Sequence, residues 1–215
     1  MPDRLTGLQR DVLERFFARE RRFFLTGGAA LAGYHTFHRA TLDLDLFTTQ
    51  DALEAGVEAL RSVATDLGGA LESLQSTPDF RRFLLRRGAE SIVVDLVRDR
   101  SPQVAPAKLL IGAIAVDPAD EILANKLCTL LSRAEIRDLV DVRELERRGY
   151  KVENALSAAS TKDAGFSAAQ LAWVLSQVQI GADARPPGDV SPTELRAYLE
   201  ALKARLIQAA FPRPG

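Results

Sequence analysis

Apolar positions in the first half of the chain change period several times, and each change marks an element. Leu8, Val12 and Phe16 recur at helical spacing behind Thr6 and Gln9, a capping-box pair, so a first helix is predicted to about Glu20. RFFLTG is a short apolar run ending at glycines and predicts a strand. Gly28 to Phe37 is alanine-rich without alternation, which predicts a second helix, whereas LDLDLF alternates strictly as a half-buried strand does. Asp51 with Glu54 predicts the opening of a third helix through Leu67, closed by Gly68 and Gly69. ALESLQS, FRRFLLRR and SIVVDLVRD follow, separated by Thr77-Pro78-Asp79 and Gly88-Ala89, and predict an antiparallel meander to which LLIGAIAV adds an edge strand.

Beyond Asp117 the pattern is helical. Asp117-Pro118 predicts an N-cap followed by proline at the first helical position, and Gly149 closes a later helix, so residues 118–148 are expected to form two helices broken near Ala134. Ser167 with Gln170, and Ser191 with Glu194 behind Pro192, predict two further capping boxes, with GADARPPGDV linking the last two helices. No internal repeat or low-complexity tract interrupts this order. The expected class is α+β, a mixed or antiparallel sheet flanked by helices in residues 1–116, followed by a helical bundle in residues 117–215.

Composition narrows the function classes. With 215 residues and 47% hydrophobic content the chain can bury one good core with a helical annex. A net charge of −1 and a pI near 6.2 give no global basic field, so a polyanion would have to meet a local patch. The single cysteine, Cys128, cannot form an internal disulfide, and MPDRLTGLQRD lacks the pattern of a signal peptide. LLIGAIAV is far below the roughly 18 apolar residues of a membrane span, so a cytoplasmic protein with no membrane association is expected.

The candidate chemistry lies between Gly27 and Asp95. Residues two apart on a strand share a face, so Asp43 and Asp45 converge on one side while Leu42, Leu44 and Leu46 point into the core. Two carboxylates about 6 to 7 Å apart repel, and a hard divalent cation removes that cost. A solvated strand face would show the same alternation. Asp95 interrupts the apolar strand SIVVDLV, and a buried carboxylate needs a partner: one of Arg81, Arg82, Arg86 and Arg87, or a metal held jointly with Asp43 and Asp45. The shared metal is the reading taken forward. A strand running into Gly27-Gly28 and then a helix leaves backbone N–H groups at the helix start, where missing side chains let a phosphate approach. Glycine at such a turn also serves geometry alone, and neither a Walker lysine nor a dinucleotide fingerprint accompanies it.

In this order the residues carry a resemblance. GGAALAGYHTFHRATLDLDLF is similar to the signature of the nucleotidyltransferase superfamily that includes DNA polymerase beta, and ILANKLCTLLSRAEIRDLVDVREL narrows the resemblance to the AbiEii/AbiGii toxin family. That family carries a Gly-Gly or Gly-Ser turn, an Arg-x-Ser/Thr-x-Asp-hydrophobic-Asp segment, a lysine-to-arginine helix and an Arg-Asp helix in the same sequence, and the resemblance covers most of the chain. It implies a nucleotidyltransferase-like sheet domain and a Mg²⁺-dependent transfer of NMP from an NTP to an acceptor hydroxyl. Gly27 and Gly28 resemble the triphosphate-binding turn, and Asp43, Asp45 and Asp95 the metal-holding carboxylates. Arg39 and Thr41 fall in the segment before the aspartates, where they contact nucleotide or brace the strand. Lys126 and Arg133 match the lysine-to-arginine helix and would offset charge on the leaving pyrophosphate. Asp138 and Asp141 fall on the final acidic motif, either of them able to orient the acceptor or a basic residue. An RNA acceptor such as a tRNA end, a toxin role and a cognate antitoxin are further implications. The alternatives are a catalytically inactive nucleotide-binding module, and a small-molecule adenylyltransferase or phosphotransferase.

The residues themselves bear on some of these roles. Lys126 and Arg133 are seven apart, nearly two helical turns, and can reach the same anion. The chain has five lysines against 23 arginines, and Lys126 sits among Ile122, Leu123, Leu127 and Leu130, so a lysine there is not a casual surface cation. Arg137 and Asp141, four apart, could pair as helical neighbours. His35 and His38 have a zinc-like spacing but no further histidine or cysteine to complete a site. Cys128 and Trp173 lie on apolar helical stripes and are expected in the core.

Overall fold

In the computed structural model, which describes residues 4–211, the chain alternates helices and strands to Val116 and is helical thereafter. It forms two compact units. One runs to Arg100 and resumes over Ala107–Pro118; the other takes Ser101–Pro106 and the described chain from Ala119 onward.

The first unit opens with α1, Gly7–Arg19, whose capping box forms as predicted: Thr6 accepts from the Gln9 N–H and the Gln9 side chain accepts from the Thr6 N–H. Strand β1, Phe24–Thr26, leads into α2, Gly27–Ala30, which widens into a π-helical turn over Leu31–His35. Then come β2, Asp43–Thr48, and α3, Leu53–Asp66. Helix α3 opens where expected, with Glu54 in its first turn, but Asp51 does not cap it. Ala52 is the N-cap, without a side-chain bond, because Asp51 and Glu54 are drawn to Arg98 and Arg81. The glycine closure does form, with Gly68 at φ +61°. The meander is β3, Ala70–Thr77, β4, Phe80–Arg87, and β5, Glu90–Arg98. LLIGAIAV folds not as one edge strand but as a hairpin, β6 Leu109–Ile111 and β7 Ile114–Val116, because Gly112 at φ +62° turns the chain.

These strands make one mixed seven-stranded sheet in the order β3-β4-β5-β2-β1-β7-β6. β5 and β2 run parallel, with Val94 opposite Leu44 and Leu96 opposite Leu46, all fully buried. Helix α3 lies over this leucine face: a Cβ at Gly56 would stand 2.5 Å from the Phe23 ring and 3.4 Å from Leu96. Phe16, Phe17 and Phe23 form an edge-to-face cluster in the same core. Leu42 departs from the expected pattern. It precedes the strand and is 74% exposed, so only Leu44 and Leu46 of the alternating leucines are core.

The second unit consists of α4 Ala119–Arg133, α5 Ile136–Arg147, α6 Val152–Lys162, α7 Ala168–Ser176 and α8 Pro192–Ala210. The predicted break is at Ala134, which takes φ +48°. Helix α4 packs against α5, α6 and α7, and α8 against α5 and α7. Ser191 and Glu194 complete their capping box; Ser167 makes only its half, because the Gln170 side chain turns to the Ser167 hydroxyl instead of its backbone. Segment Ser101–Pro106 is fastened to this unit, where the Ala105 N–H donates to Glu121 and the Pro102 carbonyl accepts from Lys162, while Lys162 and Glu121 form a buried ion pair. Cys128 packs as expected, its Sγ 3.6 Å from the Ala159 carbonyl and its thiol pushed up to about 11 by burial. Trp173 does not: it is 67% exposed, on the outer face of α7. No described helix is long and apolar enough to cross a membrane.

Candidate functional site

The register of the sheet sets four polar side chains in one row. Arg82 on β4 lies opposite Asp95 on β5, Asp95 opposite Asp45 on β2, and Asp45 opposite Thr26 on β1. Directly opposed residues share a face. Asp45 and Asp95 therefore stand together on the side away from the buried leucines, one strand spacing apart, about 4.8 Å, with Asp43 two residues along β2.

Each carboxylate is positioned by its neighbours. Thr41, itself buried, donates its hydroxyl to Asp43, and the Gln9 amide reaches from α1 to the Thr41 carbonyl at 3.0 Å, fixing the entry to β2. Thr41 thus braces the first aspartate. The Asp45 carboxylate lies over Gly27: a Cβ there would stand 2.1 Å from its Oδ2, and Gly27 has φ +64°, so both space and backbone demand glycine. At Gly28 an added Cβ would come within 3.1 Å of Arg39 and 3.2 Å of Thr41. The predicted turn, both aspartates of β2, Arg39 and Thr41 are thus one assembly. Thr26 places no side-chain cap on α2, so no side chain covers the first-turn N–H groups from the cap position.

Asp95 has an arginine for its partner. Arg82 holds it in a two-pronged pair, Nε to Oδ1 at 2.8 Å and a terminal nitrogen to Oδ2 at 2.7 Å. The bond to Asp95, with the fields of Asp95, Asp45 and Asp43, raises the Arg82 pKa further above its ordinary value. Of the two partners open to Asp95, an arginine or a shared metal, the structure shows the arginine. The buried strand left the carboxylate in need of a cation, and the hairpin register supplied one. Arg81, Arg86 and Arg87 are taken by Glu54, Glu72, and Glu90 with Asp11. Among the described residues, no group of three or more His, Cys, Asp or Glu side chains is arranged to hold a metal ion. As donors, Asp43 and Asp45 suit a hard divalent cation; Asp95, the third carboxylate of this face, is engaged by Arg82. Of the two histidines, His35 Nε2 lies 2.8 Å from the Asp117 carbonyl and His38 Nδ1 2.6 Å from the Thr36 hydroxyl.

The helical unit holds a second ionic cluster. Lys126 and Arg133 do reach one anion, and it is Asp138. Lys126 Nζ is 2.7 Å from Asp138 Oδ1 and 2.7 Å from Asp141 Oδ2, while Arg133 Nε is 2.9 Å from Asp138 Oδ2. Asp138 and Asp141 are fully buried and Lys126 nearly so; Arg133 keeps 44% of its side chain exposed. Burial presses the Lys126 ammonium down, but Asp141 and Asp138 outweigh it and hold the group above its ordinary range. Arg137 does not pair with Asp141 as its spacing allows; it turns to Glu135 at 2.6 Å because Lys126 already holds Asp141.

Residues 11–212 match the family described as nucleotidyl transferase AbiEii toxin, of type IV toxin–antitoxin systems. The chain belongs to this family. It is accordingly a nucleotidyltransferase, and the turn, the aspartate strand, the lysine-to-arginine helix and the Arg-Asp helix all lie inside the matched span. Solved structures of similar fold include JHP933 from Helicobacter pylori, at 18% identity and TM-score 0.58 over 94% of this chain and 91% of that one. MenT4, a nucleotidyltransferase toxin from Mycobacterium tuberculosis, shares 16% identity at TM-score 0.56 over 94% of this chain and 86% of its own. The antibiotic-resistance factor ANT(2'')-Ia shares 16% identity at TM-score 0.50 over 73% of this chain and 91% of its own. No curated protein sequence matches significantly. At these identities the likeness is one of fold. Sequence alone missed Gln9 and Thr26 as parts of the site and left Arg82 as one of four candidates.

Proposed function

We propose that this nucleotidyltransferase moves a nucleoside monophosphate from an NTP to an acceptor hydroxyl on RNA, a tRNA end being the leading acceptor, as the toxin of a pair with a cognate antitoxin. The observation that carries the reading is the placement of Asp45 beside both Asp95 and the Gly27 turn on one face of the sheet.

Gly27 and Gly28 open α2 beside Asp45, Arg39 and Thr41, and in this reading the first-turn N–H groups meet the phosphates there. Asp43, braced by Thr41, and Asp45, seated over Gly27, present their carboxylates on the same side. These two would hold the divalent cation, Mg²⁺ in this reading, which when bound neutralises phosphate oxygens and lowers the pKa of the attacking hydroxyl. Asp95 is the third carboxylate, available to that site or to the acceptor proton once free of Arg82. Arg39, against Gly28, is placed to contact nucleotide. In the helical unit Arg133 is open enough to meet an anionic substrate, whereas Lys126 holds Asp138 and Asp141 in place. Catalysis in this reading is positioning and charge neutralisation.

The test is incubation with each labelled NTP, Mg²⁺ and total RNA, comparing wild type with Asp45→Asn. Label on RNA that disappears in the variant supports the proposal. Label only on a small molecule overturns the RNA acceptor, and absence of transfer from every NTP to either acceptor class overturns the reading as a whole.

A further inference from the structure

The Arg82–Asp95 pair sets a question that the proposed chemistry leaves open. A carboxylate that is to serve a divalent cation already has both oxygens engaged by a guanidinium, at 2.8 and 2.7 Å. We propose that Arg82 is a resident counter-cation of the carboxylate face, and that a divalent cation gains Asp95 only by displacing it. The inference rests on the reading of Asp43, Asp45 and Asp95 as the cation-binding carboxylates.

Two observations support competition over a permanent clamp. First, the two partners differ in freedom: the Asp95 side chain is 7% exposed and fixed within the central strand β5, while that of Arg82 is 44% exposed. The arginine is the member that can swing away, since its long stem reaches water without moving the backbone. Second, the register sets Asp45 directly opposite Asp95 on the same face, so the oxygens that Arg82 holds stand beside another carboxylate of that face. Asp43, Asp45 and Asp95 share one face, and carboxylate oxygens gathered in this way suit a divalent cation. That cation and Arg82 are like charges contending for the same oxygens. The pair therefore raises the cation concentration needed to complete the site, and keeps Asp95 ordered until it arrives.

The test is calorimetric titration of the full chain with Mn²⁺, with melting temperatures measured across the same range, for wild type, Arg82→Gln, Arg82→Lys, Asp95→Asn, Asp45→Asn and the Arg82→Gln/Asp95→Asn double variant. Arg82→Gln should bind Mn²⁺ about tenfold more tightly than wild type, and Asp95→Asn should remove most of that gain, a coupling that a double-mutant cycle isolates. Arg82→Gln should also melt lower without metal and gain more on Mn²⁺ addition than wild type does. Arg82→Lys, which keeps the charge but loses the fork, should fall between the two and carries the test if Arg82→Gln does not fold. Unchanged or weaker Mn²⁺ binding in a folded Arg82→Gln, with binding still lost in Asp45→Asn, overturns this inference and leaves the carboxylate site standing. Failure of both wild type and Arg82→Gln to bind Mn²⁺ overturns the carboxylate site and this inference with it.

Discussion

Asp45 and Asp95 are direct partners in the parallel β2–β5 pairing, two carboxylates side by side at the centre of a seven-stranded sheet. Like charges in that relation are destabilising. The fold tolerates them by clamping Asp95 with Arg82, and it brings Asp45 onto a glycine that no other residue could replace. An arrangement that costs stability and is braced from several elements is the expected form of a site kept for its ligand.

Asp45→Asn should accordingly cost activity far more than stability. Removing one of two adjacent charges relieves repulsion worth up to about 1 kcal/mol, which offsets what the carboxylate's own interactions contribute, so the variant should melt close to the wild-type temperature. Nucleotide transfer should fall by about 10²-fold or more, since the lost carboxylate acts where charge is neutralised during reaction. Calorimetry and labelled-NTP incorporation on the same preparation check both. A variant that melts several degrees lower would show that Asp45 supports the fold.

Gly27→Ala should be destabilising and inactive together. The residue would need φ +64° and its methyl would meet Asp45 Oδ2 at 2.1 Å. Left-handed strain alone costs about 1–3 kcal/mol, and relief of the clash requires the carboxylate to move. Denaturant unfolding should show the loss as a lower midpoint with unchanged slope. Combining it with Asp45→Ala, which clears the space, should recover part of the stability and none of the activity.

The sequence disclosed the order of elements because the signals were local. The change from alternation in LDLDLF to helical period in ILANKL, the Thr6 and Ser191 caps and the Gly68, Gly88 and Gly149 closures each need only a few neighbouring residues. Even the Arg82–Asp95 pair was within reach. The two-residue Gly88-Ala89 turn sets Arg87 opposite Glu90, and counting back along both strands puts Arg82 opposite Asp95. What local patterns could not carry was competition for partners. Asp51 resembled a helix-start residue but meets Arg98 across the fold, and Arg137 had Asp141 at helical spacing but lost it to Lys126 from another helix. The apolar stripe around Trp173 predicted burial, yet its outer face has no covering element among the described residues.

Lys126 and Arg133 should separate by stability. Lys126→Met removes the ammonium shared by the buried Asp138 and Asp141, leaving Arg133 on Asp138, and should cost about 3–5 kcal/mol. Arg133→Gln removes a half-exposed cation from one of them and should cost about 1 kcal/mol or less. If Arg133 meets an anionic substrate, the latter variant should lose NTP affinity with its fold intact. Circular dichroism melts and nucleotide titration together decide the point. A destabilised Arg133→Gln with normal nucleotide binding would make the arginine a brace for Asp138.

A last prediction concerns acid. Burial would raise the Glu146 carboxyl, but Arg205 at 2.9 and 2.7 Å, the Tyr198 hydroxyl at 2.7 Å and the Val152 N–H at 3.3 Å outweigh it and hold its pKa below the ordinary value. A carboxyl depressed in the fold binds protons more readily once unfolded. Its contribution is therefore complete above the unfolded value of about 4.3 and lost as pH falls through that value toward the folded one. The measurement is the melting temperature of wild type minus that of Glu146→Gln, taken from about pH 7 to about pH 3.5, so that other carboxylates cancel. The difference should be constant down to about pH 5 and shrink below it. A difference independent of pH across the range would mean that the charge of Glu146, and hence its fork to Arg205, does not contribute to joining α5 and α8.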